Sequence, residues 1–197
     1  GQVTSHEIAF ASAYMDKLGL TSELRQQAQS AFREGKAEGF PLKERLRKFK
    51  RVCGNRHDLL LMFLEIQIQV AFSDGQLDKE ERSVLHVIAQ FLGFSARELD
   101  NLLEMIIAGA AFQQQSSGSQ QFRSAPSASQ LDNAYKILGV NKNDEMKDIK
   151  KAYKKLMSQH HPDKLIAKGL PPEMMELAKQ KTQDIQGAYD LIAKHNK

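Results

Sequence analysis

Pro162 constrains the fold of this 197-residue chain more than any other residue. Its ring fixes φ, removes a backbone donor and biases His161 toward extended geometry, so a regular helix ends before it. Helical apolar spacing nevertheless stands on both sides. Residues 145–158 carry Ile149, Ala152, Tyr153 and Leu156 at helical intervals, and the stretch from about Glu173 carries Leu177, Ile185, Ala188, Tyr189 and Ile192. Such spacing puts each set on one helix face. The two helices are therefore expected to fold back antiparallel, apolar face to apolar face. The corner between them, Gln159 to Lys164, is expected to be a rigid protrusion.

The residues at that corner suit recognition. Asp163 offers a carboxylate that can accept charge-assisted hydrogen bonds from a partner's arginine, and His161 offers an imidazole to stack or donate. One charged hydrogen bond is worth about 1.5–3 kcal/mol, enough to bias a conformational equilibrium about ten- to a hundredfold. On the preceding helix Lys147, Lys150, Lys151, Lys154 and Lys155 fall on one face spanning roughly 140° at 100° per residue. No acid lies among them, and such a face steers toward an acidic partner. His160 reads as a helix-end residue near a favourable dipole. The chain shows no phosphate-binding glycine loop and no nucleophile–base pair at a recognisable spacing. It is expected to be no enzyme and to need no cofactor.

The rest of the chain reads as helices. Thr4 to Glu7 has the form of a capping box and opens a helix through about Lys17. Thr21 caps a second, to about Glu34, and Pro41 starts a third, Leu42 to Val52. A strongly apolar helix, Asp58 to Ser73, carries Leu60, Leu61, Phe63, Leu64, Ile68 and Phe72 and is expected at the centre of a bundle. Asp78 to Glu81 and Ser95 to Glu98 are two further capping boxes, with Gly93 between them as a C-cap. No stretch alternates with period two, so the fold class is all-α. Cys53 is the single cysteine, which excludes a disulfide framework and a four-cysteine zinc site. It fits a reducing compartment and reads as a small buried apolar residue.

Helical patterning ends at Phe112, and Gln113 to Gln130 is Gln/Ser-rich and almost uncharged. It offers too little apolar surface to offset its ordering entropy, so a flexible linker is expected at 113–130. It would join a helical bundle, 1–112, to a second domain, 131–197, opened by Asn133 to Val140. Met105 to Phe112 is apolar throughout, as core or as a pairing surface. It is too short to span a membrane.

Charge divides unevenly. Residues 1–129 hold 15 Lys+Arg against 15 Asp+Glu, and residues 130–197 hold 13 against 9. A basic block within the first part (Arg45, Arg47, Lys48, Lys50, Arg51) supports an alternative reading as a nucleic-acid-binding helical protein with strongly salt-dependent affinity. Phe49 is the one aromatic interleaved with those charges, and neutral bulk charge argues against that reading, so no nucleic-acid partner is expected.

The helix pair with its His161-Pro162-Asp163 corner, preceded by another helix, resembles the J-domain over roughly 65 residues. That resemblance implies a co-chaperone that binds the ATPase and linker region of a DnaK-type chaperone and promotes its ATP hydrolysis. His161, Pro162, Asp163 and the five lysines would make the contact. The bundle resembles the TerB-like helical domain of tellurite resistance, whose acidic turn pairs can bind metal. Here the pairs are Asp16 with Glu23 and Asp74 with Glu81, weak candidates whose ordinary explanation is helix capping and dipole complementation. Asp74 to Asp78 also lacks the order of a calcium loop. No metal is expected.

No Cys-x-x-Cys zinc module and no Gly/Phe-rich segment is present, the J-like unit is C-terminal, and Leu165 to Pro172 is long for the corner. A TerB-like bundle followed by a J-domain resembles a family of bacterial membrane-anchored co-chaperones, especially over Met62 to Gln69 and His160 to Gln180. That implies a single N-terminal anchor in the cell inner membrane, the remainder in the cytoplasm, and a homodimer through the anchor. The bundle would engage a client, a membrane-associated protein or a metal. The chain begins at Gly1, as expected of a soluble fragment whose anchor would precede it.

Overall fold

The computed structural model describes residues 5–35, 37, 39–117 and 127–196. Helices α1 (Ser5–Lys17), α2 (Ser22–Gly35), α3 (Leu42–Cys53), α4 (His57–Ala71), α5 (Lys79–Leu92) and α6 (Ala96–Ser117) come first. Then follow α7 (Ala128–Leu138), α8 (Met146–His160), α9 (Pro162–Ala167), a 3-10 turn (Pro172–Met174) and α10 (Met175–His195). No strand occurs among the described residues, so the all-α class stands. The chain forms two compact units, residues 1–99 and 100–197.

In the first unit the helix boundaries follow local hydrogen bonding. Asp78 Oδ1 accepts the Glu81 N–H at 2.8 Å while Glu81 Oε2 accepts the Asp78 N–H at 3.0 Å, which completes the expected capping box. Ser95 and Glu98 repeat the pattern, the Glu98 carboxylate taking both the backbone N–H and the hydroxyl of Ser95 at 2.7 Å. Those bonds, the backbone one first, hold the Glu98 carboxyl below the usual glutamate range. Their stabilisation is therefore present above that range and is lost as acid protonates the group. Gly93 ends α5 at φ 100°, a left-handed conformation that glycine adopts without steric cost. The Thr4 capping box lies outside the described residues.

Helix α4 is the hub of this unit, as its apolar circumference predicts. Leu64 and Ile68 are fully buried, and α3 and α5 pack against α4 and against each other. Leu46 and Cys53 of α3 and Leu85, Ile88, Ala89 and Leu92 of α5 supply further buried side chains. Leu61, Phe63 and Phe72 keep part of their surface open, Phe63 lying 4.5 Å from the Phe49 ring. Tyr14 of α1 donates its hydroxyl to Gln69 of α4 at 3.4 Å. Burial, reinforced by the Glu65 carboxylate, raises the Tyr14 phenol above its ordinary range, so it stays a neutral donor.

In the second unit α10 packs along both α7 and α8. Ile149, Ile185, Ala188 and Ile192 are completely buried in one cluster with Leu131, Ala134, Tyr135, Ile137 and Leu138. The expected antiparallel seam is present, with Ala152 and Leu177 at its half-buried margin. Ala108 and Phe112 of α6 join the same cluster, and Gln113 donates to Asp184 Oδ2 at 2.8 Å. A Cβ on Gly187 would stand 3.4 Å from the Phe112 ring, at van der Waals contact, so Phe112 packs directly over this glycine. Met105, Ile106 and Ala108 are thus core, while Ile107 is partly exposed.

The 113–130 linker is too wide at both ends. Gln113 to Ser117 continue α6, because glutamine is a good helix former and no breaker intervenes. Ser127 caps α7 with Gln130 in a reciprocal capping box, so that helix starts before residue 131. Residues 118–126 lie outside the described residues. The division between compact units falls at Leu99, within one helix, and not at 112.

Truncating Ile149 to Ala should lower stability by about 2–5 kcal/mol, measured by denaturant unfolding, because the helices around it cannot collapse fully onto the void. The Cys53 thiol is pushed up by burial, with Arg56 opposing the rise and Asp58 adding a smaller push. It should react with an alkylating reagent at neutral pH more slowly than free cysteine, with a rate that rises on adding denaturant.

Candidate functional site

Helix α8 ends where the sequence says it must. His161 takes φ −63° and ψ 125°, the extended geometry that a following proline favours, and Pro162 begins α9 at its first position. The corner is therefore more structured than a plain turn. Residues 162–167, which overlap the start of the stretch that looks long from sequence, wind into a short helix whose N-cap is His161 itself. His161 Nδ1 accepts the Asp163 N–H at 3.3 Å. That bond places the proton of a neutral imidazole on Nε2.

The same nitrogen stands 3.9 Å from Asp163 Oδ2, an ion pair that exists only when the ring is protonated. The cap and the ion pair exclude each other, since a protonated Nδ1 cannot accept. The cap is the contact of the neutral ring. The Asp163 side chain is 86% exposed, so its carboxylate is open to a partner. Its backbone is held on both sides. Lys164 Nζ donates to Ser158 Oγ at 2.7 Å, tying α9 back to α8, and Leu165 and Leu170 are buried beneath. Gly169, at φ 79°, turns the chain between them.

All five lysines of the α8 face, Lys147, Lys150, Lys151, Lys154 and Lys155, are exposed, and the structure brings them onto the helix that ends at His161. Asp148, exposed in the first turn of α8, flanks them at one edge, so the face is bordered by an acid at its N-terminal end. Opposite, Tyr153 stacks on Tyr189 of α10 with centroids 4.3 Å apart and donates its hydroxyl to Gln186 at 2.5 Å. This clamp fixes the rotation of α8 about its axis and hence the direction in which the lysines project.

Two contributors escape the sequence reading. His160 is 6% exposed and packs inside, although it stands at the helix end where a dipole role is expected. Its spacing from Tyr153 and Leu156 places it on the apolar face, so the periodicity carried that signal. The Lys164–Ser158 bond leaves no such trace, since it depends on α9 forming at all.

The four acidic candidates of the bundle serve local structure. Asp16 pairs with Arg25, which also donates to Ser12 Oγ at 2.8 Å. Asp74 Oδ1 accepts the Gln76 N–H at 3.0 Å, Glu81 belongs to the Asp78 capping box, and Glu23 lies in the first turn of α2. Among the described residues no three of His, Cys, Asp or Glu gather where they could hold a metal ion. No helix of the described residues is long and apolar enough to cross a membrane.

Comparison with known proteins finds two family models along the chain. The family model of the DnaJ domain matches residues 133–197, and that of tellurite resistance protein TerB matches residues 1–104. The co-chaperone protein DjlA of Photobacterium profundum is 54% identical over 197 residues, covering 98% of this chain and 71% of that protein. The DjlA proteins of Aliivibrio fischeri and Escherichia coli K12 are each 52% identical, covering 98% of this chain and 72% of their own lengths. No solved structure matches. The chain belongs to the DjlA family of J-domain co-chaperones, with a TerB domain ahead of the DnaJ domain.

Proposed function

We propose that this chain docks on a DnaK-type chaperone through His161, Pro162, Asp163 and the lysine face of α8, and so promotes ATP hydrolysis by that partner. The observation that carries the reading is the exposed Asp163 carboxylate on a backbone fixed by the His161 cap and the Lys164–Ser158 bond. A carboxylate held in place loses little freedom when it meets an arginine, so more of the bond's strength goes into binding. Lys147, Lys150, Lys151, Lys154 and Lys155 act at longer range, raising the encounter rate with an acidic surface. The bond-breaking chemistry belongs to the partner.

The bundle is read as an interaction or sensing module for a client or a membrane-associated protein. In this reading the chain stands on the cytoplasmic side of the inner membrane behind a single N-terminal anchor, through which two copies associate. Support comes from the kinship with DjlA alone.

Single-turnover ATP hydrolysis by DnaK tests the reading. His161→Gln should abolish the stimulation given by the wild type while the far-ultraviolet circular dichroism stays helical. Asp163→Asn, which keeps the shape and removes the charge, should weaken half-maximal stimulation by about ten- to a hundredfold. Full stimulation by both folded variants would sink the assignment. The lysine contribution shows in salt: the wild-type association rate should fall as ionic strength rises, and less so after Lys151→Ala and Lys155→Ala.

A further inference from the structure

The strongest charged feature outside the J unit is the outer face of α3. Leu42, Leu46, Phe49 and Cys53 turn inward, Leu46 and Cys53 being buried. At 100° per residue, Lys43, Arg47 and Arg51 then form one outward ridge, with Glu44, Lys48 and Val52 beside it. The basic residues of this helix do not all have the same task. Lys50 donates to the Phe91 carbonyl at 3.1 Å near the end of α5, and Arg47 lies over the Phe91 ring with its guanidinium 5.7 Å from the centroid. Arg45 pairs with Glu34. These three hold the bundle together. Lys43, Lys48 and Arg51 are exposed and form no ion pair among the described residues. Beside Lys48 and Arg51, Val52 is 79% exposed, the most open of the large apolar side chains at the described surface.

We infer that this face of α3 is a docking surface for an anionic lipid bilayer, with Lys43, Lys48 and Arg51 against headgroup phosphates and Val52 at the flank beside Lys48. A convex helix ridge with several cations and an exposed apolar side chain at its edge meets a flat anionic surface well, and each cation near such a surface strengthens binding about fivefold. Nucleic acid is the competing anion, and the structure favours it less. Unspecific nucleic-acid grooves interleave cations with aromatic platforms for bases. Here the one interleaved aromatic, Phe49, is turned inward against the Phe63 ring. Glu44 is the one acid on the face, and it lowers the local charge without separating the three cations.

The test is co-sedimentation of the chain with vesicles of phosphatidylglycerol and phosphatidylcholine, beside vesicles of phosphatidylcholine alone. The wild type should sediment with the first and not the second, and added salt should release it. The triple variant Lys43→Gln, Lys48→Gln, Arg51→Gln keeps helix propensity and should bind roughly a hundredfold more weakly. Its stimulation of DnaK should match the wild type, which separates this surface from the one on α8. Wild-type affinity in the folded triple variant would overturn the inference, as would equal binding to neutral vesicles. Loss of duplex DNA binding in that variant, with vesicle binding intact, would overturn it in favour of nucleic acid.

Discussion

The interlock of Ile149 with Ile185, Ala188 and Ile192 is the contact on which the candidate site depends. Four side chains with no exposed surface fix α8 on α10, and everything displayed on α8 inherits its position from them. The Tyr153–Tyr189 stack adds a rotational constraint that aliphatic packing alone supplies poorly, since a stacked ring pair has a preferred orientation. Lysines on the far side of the helix then project in a set direction with no contact of their own to hold them. Charge on the surface is arranged by hydrocarbon underneath.

The corner uses a different economy of groups. A helix start leaves backbone N–H groups without partners, and an ordinary N-cap side chain does nothing except satisfy one of them. Here the capping residue is also one of the residues that would meet the partner. His161 gives Nδ1 to the Asp163 N–H and keeps Nε2 free of that cap, while Pro162 occupies the first helical position, where its missing donor costs nothing. In the proposed docking each of the three residues would add a recognition duty to its folding duty. Both fall to different atoms of the same side chain or peptide.

Much of this was legible because the signals are local. Ser95 with Glu98 and Asp78 with Glu81 announce helix starts through residues three apart, and the apolar spacing around Ile149 and Ile185 announces the seam. Harder features depend on neighbours distant in sequence. Helix α9 is six residues long, too short to show a period, and stands because Leu165 and Leu170 are buried under it. The tail of α6 looks like linker from its glutamines. It is helical because Phe112 fits over Gly187 and Gln113 reaches Asp184, contacts across some 70 positions of chain. The second unit is consequently larger than the 133–197 stretch that the DnaJ model covers. The burial of His160 was missed for a simpler reason: its position at the helix end, which the structure keeps, outweighed its place on the buried face.

The bond from Lys164 to Ser158 has one more consequence. It ties the first turn of α9 to the last turn of α8, bridging the corner on one side while the His161 cap closes it within. A bracket braced in this way resists bending without needing bulk, so a small protrusion is stiff although Asp163 and Lys164 stand exposed.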